Sequence, residues 1–238
     1  MARHYARARP RYPGPLFSFL RSLVARGGLA WDCATGTGQA AVELVEHFDR
    51  VVGTDVSAEQ LRLATPHPRI EYRQAPAEQS GLDASSVDLV AVAAAVHWFD
   101  LPLFLAEVRR VLRPGGALAV WTYHVAHGGA PFTDLLWRLY QDHLFADFAA
   151  GARLVDARYE TLQLPAPVSP VPQFEATAEW SFHQMLEFIR SWSGSHAYQR
   201  RTGQDPVDLI REDIARRWGP PERVHTLRWP VYLKVSRP

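Results

Sequence analysis

The feature that most constrains this chain is an apolar run ending in an acid, followed at once by a glycine turn and a helix start. It reads Trp31-Asp32-Cys33-Ala34-Thr35-Gly36-Thr37-Gly38-Gln39-Ala40-Ala41. Glycines at such a turn let the backbone approach a ligand where a side chain would collide. A second acid, Asp55, closes the next apolar run, Val51-Val52-Gly53-Thr54. An acid at the tip of a second strand is placed to accept hydrogen bonds from the two hydroxyls of a ribose. The first quarter of the chain therefore points to a ligand that contains adenosine.

Two such ligands compete. Gly36-x-Gly38-x-x-Ala41 fits the dinucleotide fingerprint, with Asp55 at nearly the expected distance. Asp32, four residues before Gly36, weighs against it. A carboxylate there repels a pyrophosphate, and it suits a donor carrying an ammonium and a sulfonium, as S-adenosylmethionine does. The plainer reading of Asp32 is a cap on the following turn.

The pattern continues in alternation. Pro13 to Val24 reads as a helix, Leu29 to Cys33 as strand one, and Thr37 to Phe48 as a helix. Ser57 reads as the N-cap of a short helix ended by Pro66-His67-Pro68. Ile70 to Gln74 alternates as a short strand and runs into the small-residue loop Ala75-Pro76-Ala77-Glu78, which leaves room for a flat adenine ring. Val87-Asp88-Leu89-Val90-Ala91-Val92 is a nearly continuous apolar run, as expected for a strand buried on both faces. A helix follows with Phe104, Val108, Val111 and Leu112 on one face, and Arg113-Pro114-Gly115-Gly116 stops it before a strand at Ala117 to Trp121. Strands alternating with helices in this way run parallel, with right-handed crossovers.

Taken together, these segments resemble the class I S-adenosylmethionine-dependent methyltransferases, and more narrowly the small-molecule branch related to trans-aconitate methyltransferases. The resemblance rests on Asp-x-x-x-Gly-x-Gly, the acid after strand two, Ala-Glu after strand three, His97-Trp98-Phe99 after strand four, and Leu-Arg-Pro-Gly-Gly before strand five. The lead-in from Tyr5 to Pro13 is similar to that branch too. The similarity is strong over residues 4 to about 123 and weaker beyond. Two positions depart from the pattern: Ala34 stands for the first glycine of the turn, and Pro76 for the acid that often precedes Ala-Glu.

The resemblance implies a Rossmann-like, doubly wound, seven-stranded and mostly parallel sheet, with the last strand antiparallel between strands five and six. It implies one domain over 1–238: a helical lead-in (1–27), a cofactor-binding core (28–123), and an insertion, substrate lid and C-terminal strands (124–238). After Tyr123 the residues themselves suggest a helical, aromatic-rich stretch over Phe132 to Phe148, a proline-rich connection over Thr161 to Pro172, and a strand at Phe174 to Trp180. Helices are expected over Phe182 to Trp192 and Val207 to Trp218, and a final strand of period two through Leu227 to Val235. Pro230 inside that strand favours an edge or a bulge. The 124–172 stretch is too short to hold a core of its own.

Bulk properties narrow the setting. At 238 residues and 47% hydrophobic, one α/β domain is the natural expectation. A net charge of +1 gives no argument for nucleic acid or membrane as a partner, and no run is long enough to span a bilayer. The single cysteine, Cys33, excludes an intrachain disulfide and fits a reducing, cytoplasmic compartment. The N-terminal arginines resemble a transit peptide in composition, but the family-like Tyr-x-x-x-Arg-Pro pattern favours a folded lead-in. No histidine has ligand-like spacing, so no metal is expected.

The candidate cofactor residues are Arg9, Asp32, Ala34, Thr35, Gly36, Gly38, Gln39, Asp55, Val56, Ala77, Glu78 and Ala95, for S-adenosylmethionine and its product S-adenosylhomocysteine. His97 is the candidate to face the transferred methyl, as general base or substrate hydrogen bond, or else as a structural anchor. Tyr5, Tyr12, Trp98, Trp121, Tyr123, His124, Trp192 and Tyr198 are the candidate substrate wall, and Arg9, Arg190 and Arg200 are candidate carboxylate clamps. The expected reaction is in-line methyl transfer to an oxygen or nitrogen of a small molecule: a carboxylate, a phenol or a heteroaromatic nitrogen. The expected assembly is a monomer or homodimer. Two other readings stay open: a nicotinamide-dependent oxidoreductase using the same turn, and a non-catalytic cofactor-binding domain.

Overall fold

A computed structural model describes residues 9–127, 130–148 and 151–238. Tyr5 falls outside the described residues. The chain gathers into two compact units. One holds Tyr12–Thr122, Ala157–Phe174 and Val231–Pro238; the other holds, of the described residues, 9–11 and those within Tyr123–Asp156 and Glu175–Pro230.

The first unit carries the helix α1 (Gly14–Ser22) and then strands alternating with helices, except that a loop alone joins β3 to β4: β1 (Leu29–Cys33), α2 (Gln39–Leu44), β2 (Arg50–Asp55), α3 (Ala58–Arg62), β3 (Ile70–Gln74), β4 (Val87–Ala93), α4 (Leu101–Val111) and β5 (Leu112–Thr122). β1, β2, β3, β4 and β5 pair in parallel. Their order is β3-β2-β1-β4-β5, so the direction of winding reverses between β1 and β4. Ligands of open α/β sheets bind at that reversal, outside the carboxyl ends of the strands. Cys33 pairs with Thr54 on one side and with Val92 on the other, which brings the ends of β1, β2 and β4 to one rim. The apolar strands are buried on both faces: Ala30, Trp31, Leu89, Val90 and Val92 have no exposure. The Trp31 indole N–H donates to Thr54 Oγ1 at 2.8 Å, so a large polar-tipped side chain is buried without a lost hydrogen bond.

The sheet continues with β6 (Pro167–Val168), β7 (Phe174–Trp180) and β8 (His225–Ser236). β8 lies antiparallel between β5 and β6, as expected for the last strand. β7 pairs with β8 off the main path, which makes eight strands where seven are expected. The registered contact with β5 covers Tyr232 to Ser236, so Pro230, which lacks an N–H, lies outside it.

In the second unit, α5 (Thr133–Arg138) passes into a wider π turn over Leu139–Leu144, which keeps Leu139, Tyr140 and Leu144 buried. α6 (Ala152–Asp156), α7 (Phe182–Arg190), α8 (Ser193–Thr202) and α9 (Arg211–Trp218) follow. Ser181 starts α7 with a reciprocal capping box to Gln184. The core here is aromatic: Phe132 stacks on Trp218 at 4.6 Å, and Trp180 meets Trp229 edge-on at 5.1 Å. The 124–172 stretch divides between the units: its residues to Asp156 group with Glu175–Pro230, and Ala157 onward with the first unit. Four further details differ from expectation. β5 begins at Leu112, so Arg113–Gly116 lie within the strand and not in a stop before it. α2 starts at Gln39, after the left-handed backbone of Gly38, and ends at Leu44, short of Phe48. The helix expected from Val207 is split by Ile210, at φ −132°. α8 has no counterpart in the sequence reading.

Candidate active site

The turn after β1 is bound to the tip of β2. Thr35 N donates to Thr54 O at 2.8 Å, and Gly36 N donates to Asp55 Oδ2 at 2.9 Å. The other Asp55 oxygen accepts Ser57 N at 2.8 Å, and Ala75 N, just past β3, donates to Asp55 O at 3.1 Å. Asp55 thus ties three strand tips together. A carboxylate has about four acceptor sites, so two are left for hydroxyls of a ligand. Gly36, at φ +58°, has nothing within 4 Å of the place where a Cβ would stand. Gly38, at φ +81°, has the opposite reason to be glycine: a Cβ there would sit 2.2 Å from the Tyr72 hydroxyl. Ala34 holds φ +58°, so the departure at the first glycine position keeps the left-handed backbone that glycine would adopt freely.

Asp32 is 1% exposed. Its Oδ2 accepts the Thr35 hydroxyl at 2.5 Å, while Oδ1 is buried and meets no hydrogen-bond partner. Burial pushes its carboxyl up to about 7, against the pull of the Thr35 hydroxyl and the Ala41 amide and with a small push from Asp55. An acid so placed gains most from a cation. Asp32, Asp55 and the open backbone at Gly36 therefore fit a nucleoside donor with positive charge. Cys33, beside them, is buried and its thiol is pushed up, which leaves it inert as a nucleophile.

Around this turn, Val56 is 66% exposed just past Asp55. Ala77 and Ala95 are buried. Glu78 Oε1 accepts Asp100 N at 2.9 Å, and Asp100 in turn caps α4. Behind this loop Glu107, itself buried, accepts Ser80 N at 2.9 Å and Arg110 Nε at 2.7 Å. Gln39 opens α2.

His97 sits in a single 3-10 turn, Val96–Trp98, after β4. Its Nδ1 lies 3.1 Å from the Tyr159 hydroxyl. Burial lowers its imidazolium to about 4, so the ring is neutral at pH 7. Tyr159 was not signalled by the sequence: the partners are far apart in the chain, with no motif linking them. Trp98 is 56% exposed and packs beside His97 at 5.0 Å between ring centres. Trp121 is fully enclosed, edge-on to Tyr12 at 5.6 Å, with an indole N–H that has no partner.

In the second unit, Arg9 donates to Ser191 O at 3.0 Å and to the Tyr123 hydroxyl at 3.3 Å, and lies over the Phe188 ring. His124 stacks on Trp137 at 4.8 Å, and its Nε2 pairs with Asp156 at 2.8 Å. Tyr140 donates to the same carboxylate. Trp192 and Tyr198 are buried. Arg190 is not an open clamp: Asp205 and Glu187 hold it at 2.7 Å and 2.8 Å. Arg200 is exposed. Among the described residues, no three metal-ligating side chains lie together, and no helix is long and apolar enough to cross a membrane.

Fold and site define a parallel α/β protein built to hold a cationic nucleoside. Comparison with known proteins agrees. The methyltransferase domain family matches residues 31–120. A solved structure from Anaeromyxobacter dehalogenans, provisionally named a type II methyltransferase, is 39% identical over 96% of this chain and 97% of its own, with a TM-score of 0.87. A provisionally named methyltransferase of Dictyostelium discoideum is 29% identical over the whole of this chain and 93% of its own. The S-adenosylmethionine-dependent methyltransferase CRG1 of Saccharomyces cerevisiae, likewise provisional in name, is 32% identical over 50% of this chain and 44% of its own. The chain belongs to the class I S-adenosylmethionine-dependent methyltransferases, and S-adenosylmethionine is its cofactor.

Proposed function

We propose that this enzyme methylates an oxygen or nitrogen of a small molecule, and that Asp32, Thr35, Gly36, Gly38, Asp55, Val56, Ala77, Glu78 and Ala95 hold the donor. The observation that carries the donor assignment is the buried Asp32 oxygen without a partner, next to a glycine with open space. Bound there, the cofactor supplies a methyl group on a positively charged sulfur. The residues have simpler tasks. Asp32 and Asp55 favour positive charge and ribose hydroxyls, the Gly36 turn admits the ligand's closest approach, and Val56 offers an apolar face to the adenine. His97 holds the methyl acceptor by a hydrogen bond or a proton exchange. Methyl transfer then needs mainly alignment at ~3–3.5 Å and exclusion of water.

Support for a small acceptor comes from Trp98, an exposed aromatic ring beside His97 that suits flat or partly apolar molecules. We read residues 1–238 as one methyltransferase domain. The lone cysteine favours a cytoplasmic setting, and the near-neutral charge argues against nucleic acid as substrate. The test is mass spectrometry of the full-length chain with S-adenosylmethionine and a panel of carboxylic acids, phenols and nitrogen heteroaromatics. A product heavier by one methylene supports the reading. Methyl incorporation into protein or RNA, with none into the panel, overturns it.

A further inference from the structure

We infer that Tyr159 is a positioning residue for His97: its hydroxyl donates to Nδ1, so the ring proton sits on Nε2 and His97 acts as a hydrogen-bond donor, not as a base. This rests on the proposed meeting of His97 with the methyl acceptor, and it narrows what His97 does there.

The geometry carries the first step. Nδ1 and the Tyr159 oxygen are 3.1 Å apart, a hydrogen bond in which one partner must give the proton. A phenol is a stronger acid than an imidazole N–H, and an imidazole nitrogen is a stronger base than a phenol oxygen, so the proton points from oxygen to nitrogen. Thr122 hydrogen-bonds the same phenol from its acceptor side. Tyr159 has no exposure, so water does not compete for its single hydrogen. The chain runs Thr122 to Tyr159 to His97, and it ends in the Nε2–H. A neutral ring with Nδ1 already occupied and Nε2 already protonated has no free site for a proton.

The backbone shows that Tyr159 is held deliberately. Arg158 and Tyr159 stand at φ +52° and +59°, the left-handed region that bulky side chains rarely adopt. Such a conformation persists only where surrounding structure fixes it. Here Lys234, the only lysine in the chain, donates to Glu160 O at 3.0 Å and Leu162 O at 2.8 Å. Leu162 N closes the turn on Tyr159 O at 3.0 Å. The segment is thus pinned immediately after the side chain that meets His97. The balance of the reaction follows: the acceptor reacts as a carboxylate, a phenolate or an unprotonated ring nitrogen, any proton having already gone to solvent; its lone pair forms the new bond to the methyl carbon, the carbon–sulfur pair leaves with sulfur, and His97 neither gains nor loses a proton.

The experiment is a two-bond proton–nitrogen correlation spectrum of the full-length chain labelled with 15N-histidine at pH 7, with His97 assigned by its loss in His97→Gln. The wild-type ring is expected as the neutral Nε2–H tautomer. In Tyr159→Phe, which removes only the hydroxyl, both tautomers are expected. Nδ1–H or a doubly protonated ring in the wild type overturns the inference, whether or not the variant folds. So does a Tyr159→Phe spectrum that keeps the single tautomer. S-adenosylhomocysteine affinity is expected within twofold of wild type in Tyr159→Phe, and a larger loss assigns Tyr159 to donor binding instead. Should turnover of a panel substrate prove insensitive to His97→Gln, the acceptor role of His97 fails while the tautomer assignment stands.

Discussion

Asp32 makes donor binding depend on pH in a definite direction. Its folded carboxyl stands near 7, against about 3.9 for an unfolded aspartate, so between those values the folded chain holds the extra proton. The ligand-free protein is therefore most favoured at the acid end of that window and loses stability as pH rises through 7. A cationic donor prefers the ionised acid. Calorimetric affinity for S-adenosylmethionine should tighten by up to about tenfold per pH unit below 7 and level off above it. Asp32→Asn should flatten that slope. Asp55→Ala should weaken S-adenosylhomocysteine by about tenfold or more in the same instrument, since it removes acceptor sites and releases Gly36 N. Gly38→Ala should cost about 2 kcal/mol or more in denaturant unfolding, because its φ of +81° and the Tyr72 hydroxyl 2.2 Å away both oppose a methyl. Tyr72→Phe in that background should restore part of the loss.

The loop after β3 is braced from behind by α4. The hydrogen bond from Arg110, helped by Ser80, holds the Glu107 carboxyl down at about 2 despite its burial. Its stabilising share is present above the ordinary glutamate range and is lost as pH falls from about 4.5 towards 2. Glu107→Gln should lower stability at pH 7 by about 1–3 kcal/mol and shrink the acid-limb loss, read by urea titration at several pH values. Much of this architecture could be read in the chain beforehand. β1, β2 and β4 announce themselves because a strand buried on both faces must be apolar over most of its length, and the glycine turn because few residues tolerate its backbone. α8 could not be read: Ser-Gly-Ser-His-Ala has neither helical periodicity nor propensity, and burial of Gly194, Ser195 and Tyr198 accompanies it instead. The partner of His97 was hidden for a different reason, since Tyr159 reaches it only through the fold. Arg190 misled because sequence shows a cation but not the two acids that consume it.

Taken whole, the molecule should respond to its product as one ligand-linked equilibrium. S-adenosylhomocysteine at a hundredfold over its dissociation constant adds about 2.7 kcal/mol, which for a chain of this size raises the melting temperature by roughly 5–10 °C. Hydrogen exchange should slow first at the turns after β1, β2 and β3. Absence of both effects would contradict the donor site at its root. The sheet order carries one more consequence, for how the chain is made. β5 faces β8 along Leu118 to Thr122, and the matching residues are Tyr232 to Ser236. A ribosome therefore releases a bare strand edge long before its covering strand exists. Nascent chains halted anywhere between these segments should stick to one another or recruit chaperones, and completion of the last strand should end that vulnerability.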